Sequence, residues 1–400
     1  MATIDAEVQT LNIPLIGAGT FLVACLVTVL TTPLVVRLAR ALGAEDLPSA
    51  RKMHSEPIPR IGGVAVFIGF TTAMIFAAAV TGHLLRVPSV GVQWRGLALA
   101  AAFMFLVGLA DDLWQVSFRL KLAACTAMAV YVWVCGFRID LVTSPLGGSI
   151  EMGLFSLPLT ILWIVGITNA VNLIDGLDGL AAGTASIMTV AIAAFSFVRG
   201  DLGITASSVA LAGSLIGFLF FNFNPARIFL GDSGSLFVGF VLAVTAAREG
   251  QKGPATVAVF IPLLVMGLPL LDTSYAVVRR SIRLGSSSLR PGRGLPYLVR
   301  NLDHIFLPDK EHIHHRLLEF GLSHRNAVLV LYGVVSLMVL AASALVFFKG
   351  GWLPLLLVGV ILLLCLLFLG LVHRQSRQNL ESESSAEPVA PGAEESVGRR

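Results

Sequence analysis

Six aspartates are the first sign of chemistry in this 400-residue chain: Asp111, Asp112, Asp175, Asp178, Asp232 and Asp272. Each stands at the end of an apolar run, and carboxylates are hard oxygen donors of the kind that hold Mg²⁺ against phosphate. In Gly108-Leu-Ala-Asp111-Asp112 the two adjacent acids repel each other, which raises one pKa and makes a candidate base beside a fixed negative charge. In Asn169-Ala-Val-Asn172-Leu-Ile-Asp175-Gly-Leu-Asp178-Gly, polar residues at steps of three place amide and carboxyl oxygens along one helical face, and Gly176 and Gly179 permit a tight turn beside it. A third segment, Asn222-Phe-Asn224-Pro-Ala-Arg-Ile-Phe-Leu-Gly231-Asp232-Ser233-Gly234-Ser235, puts an acid between glycines just before an apolar run. Helix-start N–H groups meet phosphate in such a place, and Asp232 is a candidate metal ligand. A simple N-cap by Asp232 or Ser233 is the competing reading, but it does not call for Asn222 and Asn224.

Two basic segments complete the set. His312-Ile-His314-His315-Arg316 gathers three of the eight histidines. His312 and His314 lack the i, i+4 spacing and no Cys is near, so zinc is disfavoured and phosphate binding is favoured. Arg51-Lys52-Met-His54-Ser-Glu-Pro57-Ile-Pro59-Arg60-Ile-Gly62-Gly63 reads as a rigid loop, either a positive anchor or, through Lys52, a contact to a lipid phosphate.

The elements that must position these residues belong in lipid. Apolar residues make up 56% of the chain and charged residues 13%, about half the ~25% charge of soluble domains. That excludes a soluble multidomain enzyme, a disordered chain and a fibre. Runs free of Asp, Glu, Lys and Arg fall at 14–36, 61–82, 96–110, 122–137, 152–168, 179–198, 202–226, 233–247, 253–271, 326–348 and 350–372. Backbone polar groups must be satisfied inside lipid, so the expectation is an all-α polytopic membrane protein of about eleven transmembrane helices. Of the 28 Lys and Arg residues, 21 fall on the side of the first loop and 7 on the other. Positive residues stay in the cytoplasm, so the N-terminus is expected outside, the C-terminus inside, and every acid cluster at the cytoplasmic face. The net charge of +4 is thus a topology signal, and nucleic acid is not an expected partner. Cys25, Cys125, Cys135 and Cys365 all lie in apolar runs and read as small core residues. Residues 1–373 form the expected membrane domain, and 374–400, rich in Ser, Glu, Pro and Ala, an expected disordered tail.

Taken in order, RKxHxxPxPRxGG, GLADD, NAVNLIDGLDGLAAG, NPARIFLGDSGSLFVGF and HIHHRLL resemble the polyprenyl-phosphate N-acetylhexosamine-1-phosphate transferases of glycosyltransferase family 4. The resemblance runs from about Arg51 to Ser323. It implies transfer of a sugar phosphate from a UDP-sugar to a membrane-bound polyprenyl phosphate at the cytoplasmic face of a bacterial membrane, starting a cell-envelope glycopolymer. By the same resemblance Asp232 and Asn172 hold Mg²⁺, with Mn²⁺ as a substitute ion. Asp111, Asp112, Asp175 and Asp178 are catalytic; Lys52, Lys121, Asn222, His312, His314, His315 and Arg316 contact substrate. Ile313 interrupts the histidine run, which resembles the UDP-N-acetylglucosamine branch more than the muramoyl-pentapeptide branch, the alternative within the family. Between Arg279 and Lys310 the chain departs from its relatives with an arginine-bearing, amphipathic stretch that suits lipid headgroups. A homodimer is one arrangement the resemblance allows. The runner-up from another class is a lipid or solute transporter, but transporters place their acids near the midplane of repeated halves.

Overall fold

The computed structural model describes residues 2–47, 56–84, 91–143, 149–249 and 317–347, with isolated positions at 267, 356, 359–361, 363–364 and 367. Long helices dominate: α1 (Ala2–Leu42), α2 (Gly63–Leu84), α3 (Val92–Trp114), α4 (Phe118–Val134), α5 (Ser156–Ile174), α6 (Leu180–Val198), α7 (Leu202–Asn222), α8 (Gly231–Glu249) and α9 (His324–Phe347). Among the described residues, seven helices are long and apolar enough to cross a bilayer; they occupy the first, second, third, fifth, sixth, seventh and tenth expected runs. The fourth and eighth runs form the helices α4 and α8 without reaching that standard. The ninth and eleventh runs, with Asp272, Cys365 and the tail, lie outside the described residues. Two short antiparallel ribbons amend the all-helical expectation. In one, β1 (Glu45–Asp46) pairs with β2 (Ile58–Pro59); in the other, β3 (Leu141–Thr143) pairs with β4 (Ser149–Glu151).

Helix ends depart from the apolar runs for a physical reason. The third run ends before Asp111 and the fifth before Asn169, yet α3 continues through Asp111 and Asp112 to Trp114, and α5 carries Asn169 and Asn172 within its last turns. Helical hydrogen bonding does not stop at a charge when that side chain finds partners in the protein. The first apolar run is likewise the middle of a 41-residue helix. Its Leu22, Leu26, Leu30, Leu34, Leu38 and Leu42, spaced by four, are exposed, as suits lipid, while Ala24, Thr28, Val35 and Ala39 are buried on the opposite face. That buried face packs on α2 and α7.

At the centre stands α8. Phe237, Phe240, Val241, Leu242, Ala243 and Val244 are fully buried, so this helix is apolar all round because protein surrounds it. Its neighbours are α2, α3, α5, α6 and α7. At one end, Arg248 donates to Gln93 Oε1 at 2.7 Å and meets Asp201 Oδ2 at 3.4 Å, while Asp201 Oδ1 accepts the Ile204 N–H at 3.1 Å. This knot joins the ends of α3, α7 and α8.

At the other end of α8 the backbones come close enough to exclude side chains. A Cβ at Gly63 would fall on the backbone of Ser233–Gly234, and one at Gly108 on the backbone of Asp232–Ser233. Backbone cannot swing aside as a side chain can, so overpacking there costs at least ~1–3 kcal/mol. Gly63→Ala and Gly108→Ala should therefore lower the thermal midpoint of the purified protein in detergent by several degrees. Gly17→Ala and Gly333→Ala, whose added methyls meet nothing within 4 Å, should leave it unchanged or slightly raised. Equal midpoints for all four variants would show that these approaches do not govern stability.

Candidate active site

Antiparallel alternation brings the C-terminal ends of α1, α3, α5 and α7 together with the N-terminal ends of α2, α4, α6, α8 and α9. The polar motifs occupy those ends. Strand-like pairing of two distant loops builds the platform: Phe229 N–H donates to Pro59 O (2.8 Å), Gly62 N–H to Phe229 O (3.0 Å) and Gly63 N–H to Leu230 O (2.8 Å). Gly231 follows at φ +72°, with Arg60 O against the position a Cβ would take, so only glycine suits this turn.

From the platform α8 starts, and its first N–H groups have no helical partner. Asp112 of α3 supplies one: its Oδ1 accepts the Asp232 N–H at 2.9 Å and its Oδ2 the Ser233 N–H at 3.0 Å. Arg60 donates from Nη2 to the Asp112 carbonyl. The resemblance implies a share in catalysis for Asp112; in the structure it is largely buried at the cleft, and each of its oxygens accepts an N–H from the start of α8.

Asp111, its neighbour, turns to a different partner. Lys121, in the first turn of α4, donates to Asp111 Oδ2 at 3.0 Å and to Asp232 Oδ2 at 2.5 Å. Both ion pairs are largely shielded from solvent. Asn172, in the last turn of α5, donates to Ser235 Oγ at 2.8 Å and lies beside Asp232. Thus Asp111, Lys121, Asn172 and Asp232, predicted separately, converge from four helices.

The remaining residues form a second knot. Asn222 is buried; its Oδ1 accepts the Gly179 N–H at 3.1 Å and its Nδ2 donates to Ile228 O at 2.9 Å. It ties two motif loops together and also lines the cleft in which the resemblance expects it to meet substrate. One oxygen of Asp178, Oδ2, accepts from Asn224 Nδ2 (2.9 Å) and from the Ala226 N–H (3.0 Å). Two residues that sequence reasoning missed hold the same loop from α9: His324 Nε2 accepts the Asp178 N–H at 2.9 Å, and Tyr332 donates to Gly179 O at 2.5 Å. Separations of about 150 residues leave no local spacing that could have revealed them. Lys52, His312, His314, His315 and Arg316 lie outside the described residues.

Over this floor opens a cleft of about 1110 Å³, lined by Asp111, Asp112, Asp175, Asp178 and Asp232 and by arginines from α1 and the platform. Among the described residues no three His, Cys, Asp or Glu side chains converge into a closed metal cage. Asp232, Asp111 and the Asn172 amide are nonetheless hard oxygen donors, and the two acids already share a cation in Lys121. That set fits an ion such as Mg²⁺, which takes few protein ligands and completes its shell with water and substrate phosphate.

Asp175 lines the cleft in the loop after α5. Removal from bulk water, then the charges of Asp232, Asp112 and Asp178, push its carboxyl up to about 8. Its unfolded value is ~3.9, so the folded state holds the proton more tightly. This contribution to stability is full below pH ~4 and is lost as the pH rises through about 8. In metal-free detergent solution Asp175→Asn should match the parent's thermal midpoint near pH 4. It should exceed the parent's by a few degrees, in order of magnitude, near pH 8. A parent midpoint equal to the variant's at both pH values would remove the repulsion from this account.

Residues 94–249, which span α3 to α8 and so nearly the whole site, match the family model described as Glycosyl transferase family 4. The chain is 38% identical over 313 residues to a Bacillus subtilis (strain 168) protein named probable undecaprenyl-phosphate N-acetylglucosaminyl 1-phosphate transferase, covering 78% of this chain and 80% of that one. It is 36% identical over 352 residues, 82% of each chain, to the decaprenyl-phosphate N-acetylglucosaminephosphotransferase of Mycobacterium tuberculosis (strain ATCC 25618 / H37Rv). To the undecaprenyl-phosphate alpha-N-acetylglucosaminyl 1-phosphate transferase of Escherichia coli (strain K12) it is 26% identical over 74% of each chain. Likeness on this scale runs through the spanning helices as well as the acid-bearing ends, and the chain belongs to glycosyl transferase family 4.

Proposed function

We propose that this protein transfers N-acetylglucosamine-1-phosphate from UDP-N-acetylglucosamine to a polyprenyl phosphate and releases UMP. The observation that carries the reading is that Asp111 and Asp232, which line a cleft at the end of a membrane bundle, share Lys121, in a chain of this family. All three relatives above carry N-acetylglucosamine in their names, which favours that sugar over a muramoyl-pentapeptide. Acids gathered at one end of the bundle count against a transporter, whose acids sit near the midplane.

The reaction joins two phosphates. An oxygen of the polyprenyl phosphate attacks the β-phosphorus of the UDP-sugar, a new P–O–P bond forms, and the bond to UMP breaks. A phosphate monoester has its second pKa near ~6, so at pH 7 the acceptor is mostly a dianion and needs positioning more than deprotonation. Direct attack is therefore favoured over a covalent aspartyl intermediate. Lys121 pairs with both Asp111 and Asp232 and offsets part of their charge. Asp112 holds Asp232 through the start of α8, and Asn222 and Asp178 hold the two loops flanking the cleft. Bound at Asp232, with Asn172 beside it, Mg²⁺ would neutralise the pyrophosphate, as metals do in phosphoryl transfer. The 21 to 7 distribution of basic residues supports a cytoplasmic site, where UDP-sugars are made.

Purified protein should release UMP from UDP-N-acetylglucosamine only with polyprenyl phosphate and Mg²⁺ both present. Turnover with UDP-muramoyl-pentapeptide in preference would reassign the sugar. Asp232→Asn should keep the parent's elution profile in detergent while losing about a hundredfold or more in rate, the effect of one charged ligand at a phosphoryl-transfer site. Undiminished turnover in that variant would remove Asp232 from the chemistry.

Orientation has its own test. In a chain whose four native cysteines are replaced, Ser117→Cys and Ser323→Cys, at the site end, should react with a membrane-impermeant maleimide only after the cells are opened. Leu154→Cys, at the other end, should react in intact cells. The reverse pattern would place the cleft outside.

A further inference from the structure

Five basic side chains line the cleft: Arg37 and Arg40 of α1, Arg60 and Arg227 of the platform loops, and His324 of α9. Three are engaged: Arg40 pairs with Glu45, Arg60 donates to the Asp112 carbonyl, and His324 accepts from the Asp178 N–H. Arg37 and Arg227 are exposed and their side chains have no hydrogen bond or ion pair among the described residues, although six aspartates line the same cleft. Arg227 is anchored at its base, its N–H donating to Phe221 O at 2.8 Å. Pro33 and Val36 of α1 and Phe221 of α7 line the cleft with these two arginines, and Pro33 stands one helical turn before Arg37, about 6 Å along the axis. The helix they share exposes Leu30, Leu34 and Leu38, the ridge that suits lipid.

We infer that Arg37 and Arg227 bind the phosphate monoester of the lipid-borne acceptor, with Pro33, Val36 and Phe221 as the apolar lip over which its hydrocarbon chain leaves the bilayer. The inference rests on the transferase reading above and adds the acceptor's point of entry, beside α1. The chemistry requires such a place. A phosphate of charge near −2 is repelled by a floor of carboxylates, and unpaired guanidinium groups at its border lower that barrier while offering paired N–H donors to its oxygens. A long hydrocarbon chain must meanwhile stay out of water, so the phosphate site has to adjoin a lipid-facing helix. Arg37 and Arg227 satisfy both demands, whereas Lys121 is already shared by two acids.

The experiment is steady-state UMP release in neutral detergent micelles free of anionic lipid, varying each substrate in turn. Arg37→Gln and Arg227→Gln should each raise KM for polyprenyl phosphate about tenfold, the scale of one charge-assisted contact, with KM for UDP-N-acetylglucosamine unchanged. Lysine at either position should recover part of the loss. Val36→Trp should weaken a long-chain acceptor but spare a short, water-soluble prenyl phosphate. An unchanged acceptor KM overturns the inference, and so does a rise confined to the donor, which would assign these arginines to the pyrophosphate. Binding of radiolabelled polyprenyl phosphate to the full chain without donor separates this inference from the transferase reading. Weaker binding in the arginine variants supports it even if the parent releases no UMP, and equal binding overturns it.

Discussion

The N–H groups at the start of α8 point into protein, where bulk water does not reach, and a polar group left unpaired in such a place costs several kcal/mol. Asp112 removes that cost by accepting from Asp232 and Ser233. Much of the site depends on this contact. For the carboxylate to reach α8, the last turn of α3 must lie against α8 backbone, which needs glycine at 108; the platform strand must lie equally close, which needs glycine at 63. Once Asp112 is fixed in this way, Asp111, its neighbour, faces Lys121 and the cleft, and Asp232 is held at the helix start facing both.

Electrostatics then sets what the cleft can hold. Several carboxylates in a low-dielectric end of a bundle repel one another, and the ammonium of Lys121 is shared by two of them. Asp175, without such a partner, keeps its proton to about pH 8. An assembly so rich in negative charge favours a bound cation and, through it, phosphate. Arginines line the same cleft and give it a second, positive character.

Helix positions were legible from residue order because lipid imposes a simple rule: runs of ~20 apolar residues form helices with all backbone bonds internal. The short central run that becomes α8 was found by the same rule, although its surroundings are protein rather than lipid. Where helices end was less legible. Reading Asp111 as the end of a run missed the turn from Asp111 to Trp114, since the partners that make a charge tolerable there come from α4 and α8. The paired ribbon at Glu45–Asp46 and Ile58–Pro59 was missed because two-residue strands leave no alternation to detect.

Residue types and order determined the membrane setting, the helical architecture, the family and the set of polar residues that had to meet, because each depends on composition or on a motif within one stretch of chain. Only the tertiary structure divided that set. Asp111 and Asp232 face a shared lysine, whereas Asp112, Asn222 and one oxygen of Asp178 are spent on backbone N–H and carbonyl groups of other segments. It also enlisted His324 and Tyr332, which hold the Asp178–Gly179 turn from α9. A carboxylate that grips a helix and one that pairs with a lysine at the cleft are the same residue type in the same motif. What separates them is which hydrogen-bond partner lies within 3 Å, and those partners are distant in the chain, so packing alone could assign them.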